Sequence, residues 1–195
     1  MPRSVALLIA VLICAASTQA SAVTAWSMNA SSCVPGDPAI HNNRYLVTAG
    51  SVKHQAAATG LITLYCPVSL QLLTAEVSPI FCAGTDGFAL PCLIPLAIGA
   101  NVLRLTYRDG DGTVGAGNIT AQLLRLSTAD GSFSAVSNSF VDSNTNPSTA
   151  QTAIESDRFS DAFNLDSFYY YVRVDLNRTS PAVDVTFYGV SLESK

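Results

Sequence analysis

Three groups of side chains in this sequence have types and spacing that can do chemistry. The most distinctive lies in FYYYVRVDLNRTSPAVDVTFYGVSLES, residues Phe168–Ser194, which carries Tyr169, Tyr171, Arg173 and Tyr188. The segment reads as two strands folded against each other. Alternate residues of a strand share a face, so Phe168, Tyr170, Val172, Val174 and Leu176 point one way and Tyr169, Tyr171, Arg173 and Asp175 the other. In the second strand Val183, Val185 and Phe187 oppose Asp184, Thr186 and Tyr188. Setting Leu176 against Val183, Val174 against Val185 and Val172 against Phe187 lays apolar on apolar, and a one-residue slip would bury charge. Tyr171 then meets Tyr188 and Arg173 meets Thr186. Flat rings beside a guanidinium suit stacking on a sugar ring or on an exposed partner surface. The plainer reading is that tyrosine fits a half-exposed sheet.

The second group is the cysteines. Cys14 lies in an N-terminal segment expected to be removed, leaving Cys33, Cys66, Cys82 and Cys92. An even count in an exported chain implies disulfides. Cys82 and Cys92 bracket AGTDGFALP, whose Gly84, Gly87 and Pro91 let it double back, so they are paired here, and Cys33 with Cys66 by elimination. Structural zinc sites place ligands two to four residues apart, and no C-x-x-C occurs.

The third group is Asp109-Gly110-Asp111. A calcium loop of the EF-hand type needs Gly at position six and Glu at twelve; counting from Asp109, these are Val114 and Thr120. Asp-Gly pairs equally suit a turn, so Asp109 and Asp111 are weak metal candidates, and neither a metal nor a cofactor is expected. The two histidines, His41 and His54, are too few for a three-histidine site. No G-x-S-x-G elbow or P-loop occurs. Glu76, among apolar neighbours in LLTAEVSP, is the carboxylate to check for a raised pKa. N-x-S/T sequons stand at Asn29, Asn118 and Asn177, the last expected in an accessible hairpin turn.

The elements that would position these groups are strands. GLITLYCPV alternates Ile62, Leu64 and Cys66 against Leu61, Thr63 and Tyr65, and reads as a covered strand ended or edged by Pro67. RYLVTAGSVKHQ suggests a short pair of strands. NVLRLTYR and ITAQLLRLS flank the ten-residue DGDGTVGAGN and read as a hairpin with a long loop. SFSAVSNSF is a further strand. VTAWSMNASSCVPGDPAIHNN reads as an irregular lead-in, and VDSNTNPSTAQTAIESDR (141–158) as a long surface loop. With almost no helical period, the chain is expected to be all-β: a single antiparallel β-sandwich, jelly-roll-like, over 23–195.

MPRSVALLIAVLICAASTQASA has a basic residue, Arg3, an apolar run and the small-residue pattern Ala20-Ser21-Ala22. That is a secretory signal peptide over 1–22, its apolar run shorter than the ~20 residues a spanning helix needs. The expected location is secreted or periplasmic, with no stable membrane span after cleavage. Cys14 does not make a lipobox, since Ile13 precedes it. The net charge is −4 and the arginines are scattered, which excludes electrostatic nucleic-acid binding. The leading expectation is a non-catalytic binding or structural protein, meeting a glycan or cell-surface protein through Tyr169, Tyr171, Arg173 and Tyr188. The alternatives are a secreted hydrolase using carboxylates, which would need two acids in a cleft, and an assembly subunit that pairs through a sheet edge.

Overall fold

The computed structural model describes residues 23–41, 43–69, 81–83, 89–91, 100–111 and 115–195. Residues 1–22, expected to be a signal peptide, lie outside the described residues, as do Glu76 and Cys92 and with Cys92 the expected Cys82–Cys92 bridge.

In chain order the strands are β1 (Val23–Asn29), β2 (Val34–Pro35), β3 (Tyr45–Thr48), β4 (Ser51–His54), β5 (Gly60–Val68), β6 (Phe81–Ala83), β7 (Ala89–Pro91), β8 (Val102–Asp109), β9 (Gly117–Ser127), β10 (Phe133–Asp142), β11 (Ser148–Glu155), β12 (Phe168–Arg178) and β13 (Val185–Ser194). Two antiparallel sheets form a sandwich. Sheet A has the order β11-β8-β13-β4-β3, with β1 also on β13; sheet B has the order β10-β9-β12-β5-β2. A small antiparallel pair joins β6 to β7, with Cys82 opposite Leu90.

Period-two alternation builds the core. Ile62, Leu64 and Cys66 of β5, Ile119 and Leu123 of β9, and Val172, Val174 and Leu176 of β12 point in from sheet B. Val52, Leu103, Leu105, Tyr107, Val185, Phe187 and Leu192 meet them from sheet A, with Trp26 of β1. Each such side chain contributes about 1.5–3 kcal/mol when fully buried. Cys33, just before β2, is bonded to Cys66 on β5, the pairing expected by elimination.

Two expected hairpins are not hairpins. β12 is flanked along its length by β9 on one side and β5 on the other: Val172 sits between Leu123 and Cys66. It has no free edge for β13, which lies in sheet A beside β8. Likewise β8 belongs to sheet A and β9 to sheet B. Both connections are arches that cross the ~10 Å between packed sheets. Apolar alternation says which residues face the core, and Val172 and Phe187 both do, but from opposite sheets.

The arches hold each other. Thr179 N donates to Ala116 O at 2.7 Å and Gly110 N to Asp184 O at 3.3 Å. Gly117 lies where they cross; a Cβ there would come within 2.5 Å of Val185 Cγ2 and 2.8 Å of Val183 Cγ1. True hairpins are β3–β4, whose two turn residues Ala49 and Gly50 take the positive φ such turns require, and β9–β10.

Two segments read as irregular are strands. The lead-in contains β1, which pairs with the C-terminal half of β13. The polar 141–158 segment contains β11, an edge strand on β8, with Ile154 opposite Leu105. An edge strand needs little apolar surface, so its sequence resembles a loop. Asn177 is not in a turn: it is half-buried in β12, directly opposite Asn118.

Candidate functional site

The outward residues of sheet B form one face. Across it, Val34, Tyr65, Arg173, Gln122 and Phe140 make one cross-strand row. Next come Pro67, Tyr171, Leu124 and Ala135, then Tyr169, Leu126 and Phe133. Among the described residues, eight large hydrophobic side chains are exposed: Val34, Leu46, Val47, Leu61, Phe133, Phe140, Leu165 and Tyr169. Five of these, Val34, Leu61, Phe133, Phe140 and Tyr169, are on this face.

Local packing fixes the rings. Tyr171 and Phe133 are tilted against each other with centroids 6.3 Å apart. Tyr65 lies over Gly36, where a Cβ would come within 2.8 Å of its ring. The charges are few and tied down. Arg173 Nη2 lies 2.8 Å from Asp175 Oδ2, and Thr63 Oγ1 donates to Asp175 Oδ1 at 2.6 Å. Arg173 stands where the aromatic rows end: its cross-strand neighbours are Tyr65 and Gln122, and the next row is Thr63, Asp175 and Thr120.

Tyr169, Tyr171 and Arg173 thus share a face, as their alternation requires, and Tyr188 does not join them. It is in sheet A, at the irregularity between Phe187 and Gly189. The expected Tyr171–Tyr188 pair is replaced by Tyr171 between Leu124 and Pro67. Sequence reasoning missed Tyr65, Leu124, Leu126, Phe133 and Phe140. The signal was present, since these residues are apolar at the positions alternating with buried ones; what lacked was the pairing that brings β9, β10 and β5 beside β12.

The outermost strands are poor templates for strand addition. β10 and β11 carry irregular registers, between Ala135 and Phe140 and between Ser148 and Thr152. β1 is irregular between Thr24 and Trp26, β3 has four residues, and β2 has two and contains Pro35. Bulges, shortness and proline are what blunt sheet edges.

Among the described residues, neither of two grooves brings two carboxylates together. A groove of about 390 Å³ lined by Arg125, Ser137 and Asp161 holds one acid, and a second, of about 370 Å³ beside His54 and Arg178, holds Asp184. Arg178 is buried there; its Nε donates to Ala58 O at 2.8 Å and its Nη2 to Gln55 O at 2.5 Å. His54 is buried with Nε2 2.8 Å from Gly60 O, and desolvation holds its pKa below the usual value.

The paired acids are Asp109 and Asp111, at the β8–β9 arch. Asp109 has no solvent exposure, so no substrate reaches it. Burial, and next the adjoining Asp111 carboxyl, push its pKa up to about 6, against the pull of the Ser143 hydroxyl bonded to Oδ2. Among the described residues no group of three or more His, Cys, Asp or Glu side chains is arranged for a metal, and no helix is long and apolar enough to cross a membrane.

No protein-family model matches the chain, and neither curated proteins nor solved structures contain a match. The Cys33–Cys66 disulfide is compatible with an extracytoplasmic location.

Proposed function

We propose that this is an exported recognition protein whose 1–22 leader is removed, whose jelly-roll-like sandwich is a rigid frame, and whose working surface is the outer face of sheet B. The observation that carries this is the gathering of five of the eight exposed large hydrophobics on that face. Contiguous apolar surface costs solubility, and where a folded protein keeps it, it commonly serves contact. The mixture of Tyr, Phe and Leu around one arginine is that of a protein interface core, so a cell-surface or secreted protein is the favoured partner. A glycan is the second reading, favoured by Tyr171 standing one position from the Arg173–Asp175 pair, where a stacked sugar ring would find hydrogen-bonding groups.

The test is a binding screen against a glycan array and intact cell surfaces. It compares the wild type with a Tyr171→Ala/Phe133→Ala double variant, and with Tyr188→Ala as the control in the other sheet. The reading expects binding that the double variant loses and Tyr188→Ala keeps. Equal loss in both, or binding untouched by the double variant, would contradict it.

A further inference from the structure

A different region is the groove of about 370 Å³ where β4 turns into β5 beside the β12–β13 arch. Its apolar lining is Leu46, Ala56, Pro181, Ala182 and Val183. Leu46 is one of the exposed large hydrophobics outside the face of sheet B. Its polar lining is Lys53, His54, Arg178 and Asp184. Asp184 is occupied: Arg108 pairs with it, and Thr186 Oγ1 donates to its Oδ1 at 3.1 Å. The two cations are unanswered, since no ion pair among the described residues involves Lys53 or Arg178. Arg178 is only 5% exposed. Its guanidinium donates to backbone carbonyls alone, those of Gln55, Ala56, Ala58 and Val183. Buried charges are normally paired with an opposite one. His54 is 4% exposed. Its Nε2 faces the Gly60 carbonyl at 2.8 Å and so carries the proton, which leaves Nδ1 a buried acceptor with no donor. Desolvation holds the ring's pKa down, the Gly60 carbonyl opposes this, and the Arg178 and Arg44 charges lower it further. A partly apolar cavity with a few convergent polar groups, one of them with a shifted pKa, has the make-up of a ligand site.

We propose that this groove binds a small amphipathic carboxylate, its apolar body against Leu46, Ala182 and Val183 and its charge toward Lys53 and Arg178, with His54 taking up a proton on binding. Lys53 makes the ion pair, because its ammonium is on a flexible stem whereas Arg178 is fixed by its carbonyls. Of the charged groups around the His54 ring, Arg178, Arg44, Lys53 and Asp184, only Asp184 is negative, and Arg108 holds it. Tyr45, opposite His54 on β3, and Thr186, opposite Lys53 on β13, add no carboxylate. A bound carboxylate supplies the negative charge that the ring's surroundings lack. The protonated ring keeps its Nε2 bond to Gly60 O and gains an Nδ1–H donor. Binding and proton uptake are therefore linked, and affinity rises as pH falls. The site does not depend on the outer face of sheet B.

The probe is octanoate, titrated by calorimetry into the purified, oxidised protein. Octanamide is the uncharged match, and acetate carries the charge without the body. Octanoate should bind about tenfold or more tighter than either. Its affinity should rise several-fold from about pH 7.5 to about pH 6, and His54→Gln should remove that rise. Lys53→Gln should weaken binding about tenfold, and Ala182→Trp should fill the groove and abolish it. Lys53 is half-buried and Ala182 exposed, so both variants fold, which their Tm checks. Tyr171→Ala/Phe133→Ala should bind octanoate as the wild type does, so this outcome is read apart from that of the outer face. Octanoate no tighter than octanamide, binding indifferent to pH, or full binding by folded Ala182→Trp would overturn the proposal. Loss in Tyr171→Ala/Phe133→Ala with binding kept in Ala182→Trp would also overturn it, by placing the ligand on the outer face.

Discussion

On the outer side of sheet A, Arg104 reaches Glu193, Arg108 reaches Asp184 and Lys195 reaches Glu155. On the outer side of sheet B the outward places include Tyr65, Leu124, Leu126, Phe133, Phe140, Tyr169 and Tyr171 as well as Thr63, Thr120 and Gln122, and the one ion pair among its described outward residues, Arg173–Asp175, lies within β12. Both sheets are antiparallel and each buries its inner face in the same core. An antiparallel sheet with one wet face is expected to be polar there. Sheet A follows that rule. Sheet B departs from it over five strands, so the departure belongs to the face and not to one residue.

The sharpest way to separate frame from face is along β12 itself. Leu176→Ala, on the inward side, should cost about 2–5 kcal/mol in chemical denaturation. The outward Tyr171→Ala/Phe133→Ala pair should cost less than about 1 kcal/mol per site while weakening partner binding about tenfold or more. Comparable stability losses from both would mean that the outer face is packed like a core, and the contrast between the faces would fail.

The frame beneath sheet A has a pH signature. His54 is neutral in the folded protein, and burial lowers its pKa below the unfolded value of 6.5. Its contribution is present above that value and is lost as pH falls through it toward the lower folded pKa, because the unfolded chain takes up the proton first. Denaturation midpoints measured from pH 7.5 to 5 should fall, and His54→Gln should flatten that part of the profile. The smallest effect belongs to the charged face: Arg104→Ala should cost about 0.2–1 kcal/mol and leave binding unchanged. A loss of binding there would move the working surface to sheet A.

What was legible in the sequence was which way each residue faces. The buried positions of β5, β8 and β12 are those their alternation marks, and Cys33–Cys66 is the pair that elimination left. Partners were not legible. Alternation is the same whether a strand meets its sequence neighbour in one sheet or faces it across the core. Asp-Gly and Ser-Pro connections serve arches as well as turns, so β12 and β13 read as a hairpin though β9 and β5 already occupy both sides of β12. That error displaced Tyr188 onto the wrong face and hid Phe133 and Tyr65. Strands with one neighbour and a polar sequence, β11 above all, give no apolar signal to read.

The most direct test of the central claim is partner binding by the wild type, Tyr171→Ala/Phe133→Ala and Tyr188→Ala, measured on cell surfaces and glycan arrays with folding checked by circular dichroism. The account predicts that the folded double variant loses binding and that Tyr188→Ala binds as the wild type does. Undiminished binding by the folded double variant would contradict it.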